Sequence, residues 1–449
     1  MKKLYNILLA FAIIGTMCMR FMYIPQKSEN NLFVDGVVAA MLDWQPCIVN
    51  KSGEIAAKFD KPDPDSPYPS SLGSFAPYGV ALYSTEFYWL PSEFPAFKYG
   101  LVNTKGEFVL QPDFDYISDF QNGMAVVGKN GKYGIVNTIG EFVLEMCFDG
   151  LKAFESDKYA PAKLGDKWGY INKKGDFVIE PQFDDAHSFA GGKYARIEID
   201  RLQGLIDRAG NIIVEPEFAP VGEIRDDMAI VTEIEQKRFG VKPHFSVLNI
   251  RTGELKWIDY DNVGNFAENG LASVYKFARW GFINTEGEEV IPLQFREARG
   301  FENGLAAVCT KDKTWGFINE KGEFELEIEG CIRLENFENG LAMARTENAC
   351  GLINEKGEFV VKVENAIEMG HLHNGMAWFR DKNDKYGYVN ADGEIVIEPQ
   401  FERFVRNLKW GACNFYDDGY AIVETTDRKQ GVIDKQGNFI IEPIYDYIG

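Results

Sequence analysis

From about residue 75 onward the chain alternates short apolar runs with polar, glycine-bearing breaks, and after residue 30 no segment sustains a helical period. One stretch shows the pattern: Phe301-Glu302-Asn303-Gly304-Leu305-Ala306-Ala307-Val308, then Trp315-Gly316-Phe317-Ile318-Asn319-Glu320-Lys321-Gly322-Glu323-Phe324. Asn303-Gly304 is a turn signal, because both residue types tolerate positive φ, and it leads into a first strand, Leu305 to Val308. The polar stretch Thr310-Lys311-Asp312-Lys313 predicts a hairpin loop into a second strand, Trp315 to Asn319. Asn319 to Gly322 has the composition of a type I turn followed by a left-handed glycine, and it closes a second hairpin. The third strand is clearest in Asp176-Phe177-Val178-Ile179-Glu180-Pro181-Gln182-Phe183 and in Glu394 to Phe401. A proline so placed removes a ladder donor and marks a strand end or a sheet edge. Each copy therefore reads as a three-stranded antiparallel meander with room for a short fourth element before the next Phe.

The unit recurs. Tyr99-Gly100, Tyr133-Gly134, Trp168-Gly169, Gln203-Gly204, Phe239-Gly240, Trp280-Gly281, Trp315-Gly316, Cys350-Gly351, Tyr386-Gly387 and Gln430-Gly431 give about ten copies of roughly 35 residues. A glycine inside a strand is costly unless another group approaches its backbone closely, and the expected visitor is an aromatic ring of the adjacent unit. A three-stranded unit cannot bury both faces alone, so neighbours must stack or close into a ring. The fold class that follows is all-β, a tandem array that is propeller-like or strongly curved, with an open β superhelix or solenoid as the alternative.

Three blocks recur in order: Asn-Gly-[Leu/Met]-Ala, aromatic-Gly-[Phe/Tyr/Ile]-[Ile/Val]-Asn-x-x-Gly-Glu, and Val-Ile-Glu-Pro-x-Phe. In this the chain resembles the bacterial WG repeat family over about residues 75 to 449. Gln203, Gln430 and Cys350 before the glycine, and the long unit around Phe239, depart from the pattern and imply different packing there. The resemblance implies the repeat fold and an exported or envelope protein, and no particular chemistry.

The first thirty residues differ in kind. Lys2 and Lys3 precede an apolar run from Ile7 to Met19 that ends at Arg20, the form of a secretory signal and short for a membrane span. Residues 1–30 are thus expected to be a signal peptide or an N-terminal membrane or lipid anchor, directing the chain to the periplasm, the outer surface or the membrane. Lipidation at Cys18, soluble secretion, an uncleaved anchor and a cytosolic chain with a signal-like start all remain open. Residues 31–74 read as a degenerate repeat followed by a Pro-rich linker, Lys61 to Pro69, and residues 75–449 as the array. A stretched unit containing Lys242-Pro243-His244-Phe245 either divides the array near residue 262 or is a loop insertion.

Composition narrows the function. The hydrophobic share of 45% and aromatic share of 14% suffice for a packed core, and a net charge of −21 opposes nucleic-acid binding, which needs basic surface. The seven cysteines include no C-x-x-C pair and read as small apolar strand residues rather than metal ligands, with disulfides among the six after Cys18 as the alternative in an oxidising compartment. His187, His244, His371 and His373 are the only histidines, and no nucleophile–base constellation is evident. No catalytic residue, metal site or cofactor is expected. The Glu-Pro carboxylates recur with the repeat and so read as structural.

Binding residues are sought where the repeat is interrupted, because loops on a rigid scaffold carry function. The candidates are Tyr88, Trp89, His244, Phe245, Trp410 and Phe415, whose aromatics suit a sugar ring or a protein anchor. Capping of the array ends is the competing role for these rings. The functional expectation is an exported, non-catalytic binding or scaffold module for protein or glycan in the envelope, touching membrane only through its N-terminal segment. The alternative is a hydrolase with acidic residues in a central channel.

Overall fold

The computed structural model describes residues 31–59, 70–87, 96–155, 158–189, 192–237, 240–402 and 414–449. Residues 1–30 with Cys18, the Pro-rich stretch 61–69, Tyr88, Trp89, Phe239, Trp410 and Cys413 lie outside them. Every regular element among the described residues is a strand, and the strands form small antiparallel sheets of three or four. The fold is propeller-like, one blade-type sheet following another along the chain. Two compact units are present, one built on Lys193–Glu329 and the other on Glu29–Gly192 with Gly330–Gly449. The stretched repeat Met228–Ile258 lies within the first of these.

In the second unit, Tyr116–Ile117, Met124–Lys129, Lys132–Asn137 and Phe142–Phe148 lie side by side in one sheet. The meander of three is thus four strands in most sheets. In most of these the extra one is a two-residue piece after the third-strand aromatic, here Tyr116 opposite Gly128 and Ile117 opposite Val127. Three strands remain in Met228–Lys237, Gly240–Asn249 and Glu254–Ile258, and in Ala421–Glu424, Gln430–Ile433 and Phe439–Tyr445. The turns match their composition. Asn122-Gly123, Asn303-Gly304, Asn339-Gly340 and Asn374-Gly375 all carry positive φ at both residues, as a primed hairpin turn demands. In the other turn, Asn319 Oδ1 accepts the amides of Lys321 and Glu323, Gly322 donates to the Asn319 carbonyl, and Gly322 takes φ +81°.

The strand glycine has a different cause from the one expected. Tyr133 pairs with Phe148 and Ile135 with Leu144, so three third-strand residues stand opposite Gly134 alone. This bulge folds back over the glycine: a Cβ on Gly134 would lie 2.5 Å from the Leu144 carbonyl oxygen and 3.0 Å from backbone atoms of Glu145 and Met146. Gly100, Gly204, Gly281 and Gly431 meet the equivalent carbonyls of Leu110, Val214, Ile291 and Ile441. The visitor is therefore the repeat's own third strand, not a neighbour's ring. The aromatic before the glycine pairs with the third-strand Phe, as in Trp168 with Phe183, Trp280 with Phe295 and Tyr386 with Phe401. The bulge also explains the proline, since Pro181, Pro216 and Pro399 sit inside outermost strands where no ladder partner needs their donor. Gln203 and Gln430 replace the ring with a hydrogen bond, their Oε1 atoms accepting the amides of Val221 at 3.1 Å and Ile448 at 2.8 Å.

Neighbouring sheets meet through other residues. Val126, Ile135, Leu144 and Phe148 of one sheet form a core layer with Leu151, Ala160, Ala162 and Ile171 of the next. The turn glycine seats on the preceding sheet: a Cβ on Gly175 would lie 3.2 Å from Leu144, and one on Gly322 would lie 3.0 Å from Ile291. A carboxylate after the third-strand Phe then joins the two. Asp115 accepts Lys98 Nζ of one sheet at 2.5 Å and the Asn130 amide of the next at 2.6 Å. Asp149 accepts Lys132 Nζ at 2.6 Å and the Gly165 amide at 2.8 Å. The last repeat reaches the first sheet in the same way, Asp446 accepting Lys429 Nζ at 2.6 Å and the Trp44 amide at 3.0 Å. That sheet comprises Val37–Leu42, Gln45–Asn50 and Ile55–Lys58, completed by Tyr447–Ile448. Asp418 adds hydrogen bonds from the amides of Leu32 and Phe33. Among the described cysteines, Cys47, Cys147, Cys309, Cys331 and Cys350 form no disulfide, and burial raises the Cys47 and Cys350 thiols to about 11.

Gly134→Ala should cost about 1–3 kcal/mol by urea denaturation, because the atoms it strikes are backbone. Gly300→Ala, where an added Cβ meets nothing within 4 Å, should be close to neutral in the same assay. Asp446→Ala should lower the melting temperature and accelerate amide exchange at Trp44, while exchange in Phe142–Phe148 stays as it was.

Candidate functional site

Bulky residues avoid positive φ, so an exposed aromatic held there in a hairpin turn is a feature to explain. Two such residues stand out, one in each unit. In the second unit, the turn Asp43-Trp44 has φ of 52° and 57°, and Trp44 is 61% exposed. In the first unit, Phe277-Ala278 has φ of 52° and 59°, and Phe277 is 79% exposed. The corresponding turn Asn130-Gly131 uses the residues that this geometry favours.

Phe277 has a chemically diverse setting. Its hairpin, Ala272–Lys276 and Arg279–Ile283, lies in the sheet after Met228–Ile258. Lys276 Nζ stands 5.0 Å from the Phe277 ring centroid and binds Asp259 at 2.6 Å. The Lys276 hydrogen bond holds the Asp259 carboxyl below its usual range, and the charges of Lys276, Lys242 and His244 add to that effect. His244 Nε2 donates to Glu235 Oε2 at 3.0 Å. In the same hairpin Tyr275 stands opposite Trp280, with ring centroids 5.0 Å apart. The result is an exposed ring with an ammonium close to it and a carboxylate bound to that ammonium, the same carboxylate on which His244 acts. It suits a ligand that offers both a stacking face and hydrogen-bonding groups, such as a sugar ring or a protein side-chain cluster.

Of the residues expected from sequence, His244 belongs to this patch. Phe245 follows it on the same strand, so its ring turns to the other face and packs against the core of Val247, Ile258 and Phe266. Phe415 is 3% exposed and lies edge-on to Tyr388 at 5.0 Å, which makes it a core residue rather than a surface for a ligand. Tyr88, Trp89 and Trp410 fall outside the described residues. His371 Nε2 approaches Glu338 at 3.5 Å, and among the described residues no group of three or more His, Cys, Asp and Glu side chains could hold a metal ion. Phe277, Asp259 and Trp44 fall outside the insertion loops to which the sequence points: Phe277 and Asp259 lie beyond the inserted Lys242–Phe245 segment, and Trp44 lies in the degenerate first repeat. The available signal was the absence of Asn or Gly from a two-residue hairpin turn.

A further unusual turn, Asp226-Asp227, has φ of 50° and 61° where other copies carry Asn-Gly. Asp227 is buried and ion-paired with Arg251 and, at 3.5 Å, with Lys193. Burial pushes its carboxyl upward, but the Arg251 hydrogen bond and the charges of Arg251 and Lys193 outweigh that and hold it below 3.8.

Replacing the strained ring should separate stability from binding. Phe277→Asn is expected to leave stability unchanged or raise it by about 0.5–1 kcal/mol in thermal unfolding, since Asn tolerates this φ. For Asp227 the folded value is depressed. Its contribution is therefore complete above the unfolded value of 3.8 and is lost as pH falls through the folded value. Below about pH 4 the stability of Asp227→Asn should fall less steeply than that of the parent in urea titrations at stepped pH.

No curated protein matches the chain. Among solved structures, a eukaryotic initiation factor aligns over 66% of this chain and 92% of its own, with 10% identity and a TM-score of 0.39. BamB from Moraxella catarrhalis aligns over 62% of this chain and 88% of its own, with 10% identity and a TM-score of 0.27. The WG containing repeat matches at residues 99–133, 133–168, 168–202, 204–233, 280–313, 315–348, 386–427 and 431–449. Together these segments make up more than half of the sequence, and the chain belongs to the WG containing repeat family.

Proposed function

We propose that this protein is a non-catalytic binding module that is exported through its N-terminal segment and engages a protein or glycan of the cell envelope through the surface around Phe277. The observation that carries this reading is the ring itself, 79% exposed and held at a φ of 52°. Strain retained in an exposed turn, where Asn or Gly would remove it, is accounted for by what the side chain contacts. Asp259, Lys276 and His244 supply polar groups beside the ring, the arrangement of an aromatic anchor with a hydrogen-bonding rim. The repeats behind it provide a rigid support, their own polar residues being occupied with turns and joints between sheets.

The test is binding of the purified full chain to a glycan array and to envelope extracts, with Phe277→Ala and Asp259→Asn alongside the parent. Phe277→Ala should weaken the captured interaction roughly tenfold or more, the effect of losing one aromatic anchor, with the melting temperature retained. Equal binding by parent and Phe277→Ala would remove this surface from the function. Cell fractionation should place the chain in the envelope or outside the cell, and a cytosolic location would remove the envelope partner.

A further inference from the structure

The outermost strands of the sheets are protected against pairing with other chains. Phe108–Phe114, Phe142–Phe148, Phe177–Phe183, Ile212–Phe218, Glu289–Phe295, Ile395–Phe401 and Phe439–Tyr445 all break register at a bulge. Ile55–Lys58, Phe324–Ile328 and Phe359–Glu364 contain one register shift each. Such irregularity is how proteins prevent edge-to-edge association. Glu254–Ile258 differs from all of these. Its register against Gly240–Asn249 runs unbroken from Glu254 opposite Asn249 to Ile258 opposite Phe245. It contains no proline, and its other edge has no strand neighbour among the described residues.

The side chains on this open edge are self-complementary. Leu255 and Trp257 project from one face, and Trp257 is 57% exposed, while Glu254 and Lys256 project from the other. No ion pair within the chain engages Glu254 or Lys256 among the described residues. We infer that this edge pairs antiparallel with the same strand of a second copy, with Leu255 opposite Leu255 across a two-fold axis. That register sets Glu254 of each copy opposite Lys256 of the other, giving two reciprocal ion pairs on one face. On the other face the two Leu255 side chains meet at the centre and each Trp257 lies diagonally across from the second copy's Leu255, within reach of an aromatic side chain. The interface is isologous and closed, so it yields a dimer and not a fibre. Five residues per copy make a small contact, so the dimer depends on protein concentration. This inference stands apart from the binding surface at Phe277.

Sedimentation velocity of the full chain over a concentration series tests it, the monomer having a mass of 50.8 kDa. A concentration-dependent species of twice that mass is expected. Glu254→Lys alone and Lys256→Glu alone should each weaken dimerisation roughly tenfold, because each replaces two attractive pairs with two repulsive ones. The double variant Glu254→Lys/Lys256→Glu restores both pairs with reversed polarity and should recover the parent's association. Far-UV circular dichroism of all three should match the parent. A chain that stays monomeric throughout the series overturns the inference. So does a dimer that the single reversals do not weaken or the double reversal does not restore.

Discussion

The close approach of the third strand to the glycine of the second sets the geometry of the repeat. At Gly134 the Leu144 carbonyl occupies the space where a side chain would begin, and the same holds for Gly204 against Val214 and Gly281 against Ile291. Once that contact is made, the bulge needs no ladder donor, a proline becomes tolerable, and the third-strand Phe is set opposite the aromatic before the glycine. The outer strand is then bent away from regular pairing, which leaves it a poor template for other chains. A backbone contact within the repeat thus governs packing, edge protection and the placement of the largest side chains together.

The joint between sheets is polar where the contact within a sheet is steric. Asp115, Asp149 and Asp446 each accept a lysine from one sheet and a turn amide from the next. Where Gln replaces the aromatic, its carbonyl takes up an amide 18 residues on, so a departure from the repeat pattern is absorbed by a local hydrogen bond. These interactions give the repeating Asp, Lys and turn Asn residues a structural role. What is left to meet a partner is whatever breaks the local rule, such as Phe277 in a turn suited to Asn or Gly, or Glu254–Ile258 as an outer strand without a bulge.

Much of the fold was legible because its turns are local. Asn303-Gly304 and Asn319 to Gly322 announce their conformations through φ and through side-chain bonds to amides two and four residues away. The strand glycine was recognised as crowded, but its visitor was misassigned, because a bulge depends on pairing register and register is not written in any one strand. The Lys-to-Asp joint was hidden for a related reason. Lys132 and Asp149 lie 17 residues apart and look like ordinary surface charges until the sheet brings them together. The insertions hold one surface candidate, His244, and two rings packed into the core, Phe245 and Phe415, since loop length by itself does not tell an exposed ring from a buried one.

The completion of the first sheet by Tyr447–Ile448 bears on the order of folding. Trp44 and the carboxylate that receives its amide are 402 residues apart. Hairpins in the interior of the array can form from contacts a few tens of residues apart at most, whereas this sheet waits for a contact that spans nearly the whole sequence. During synthesis its first three strands emerge long before Tyr447–Ile448 and remain without their fourth until that segment is made. Until Tyr447–Ile448 docks, Val37–Leu42 keeps an open edge, so this sheet is finished by a strand made long after its other three.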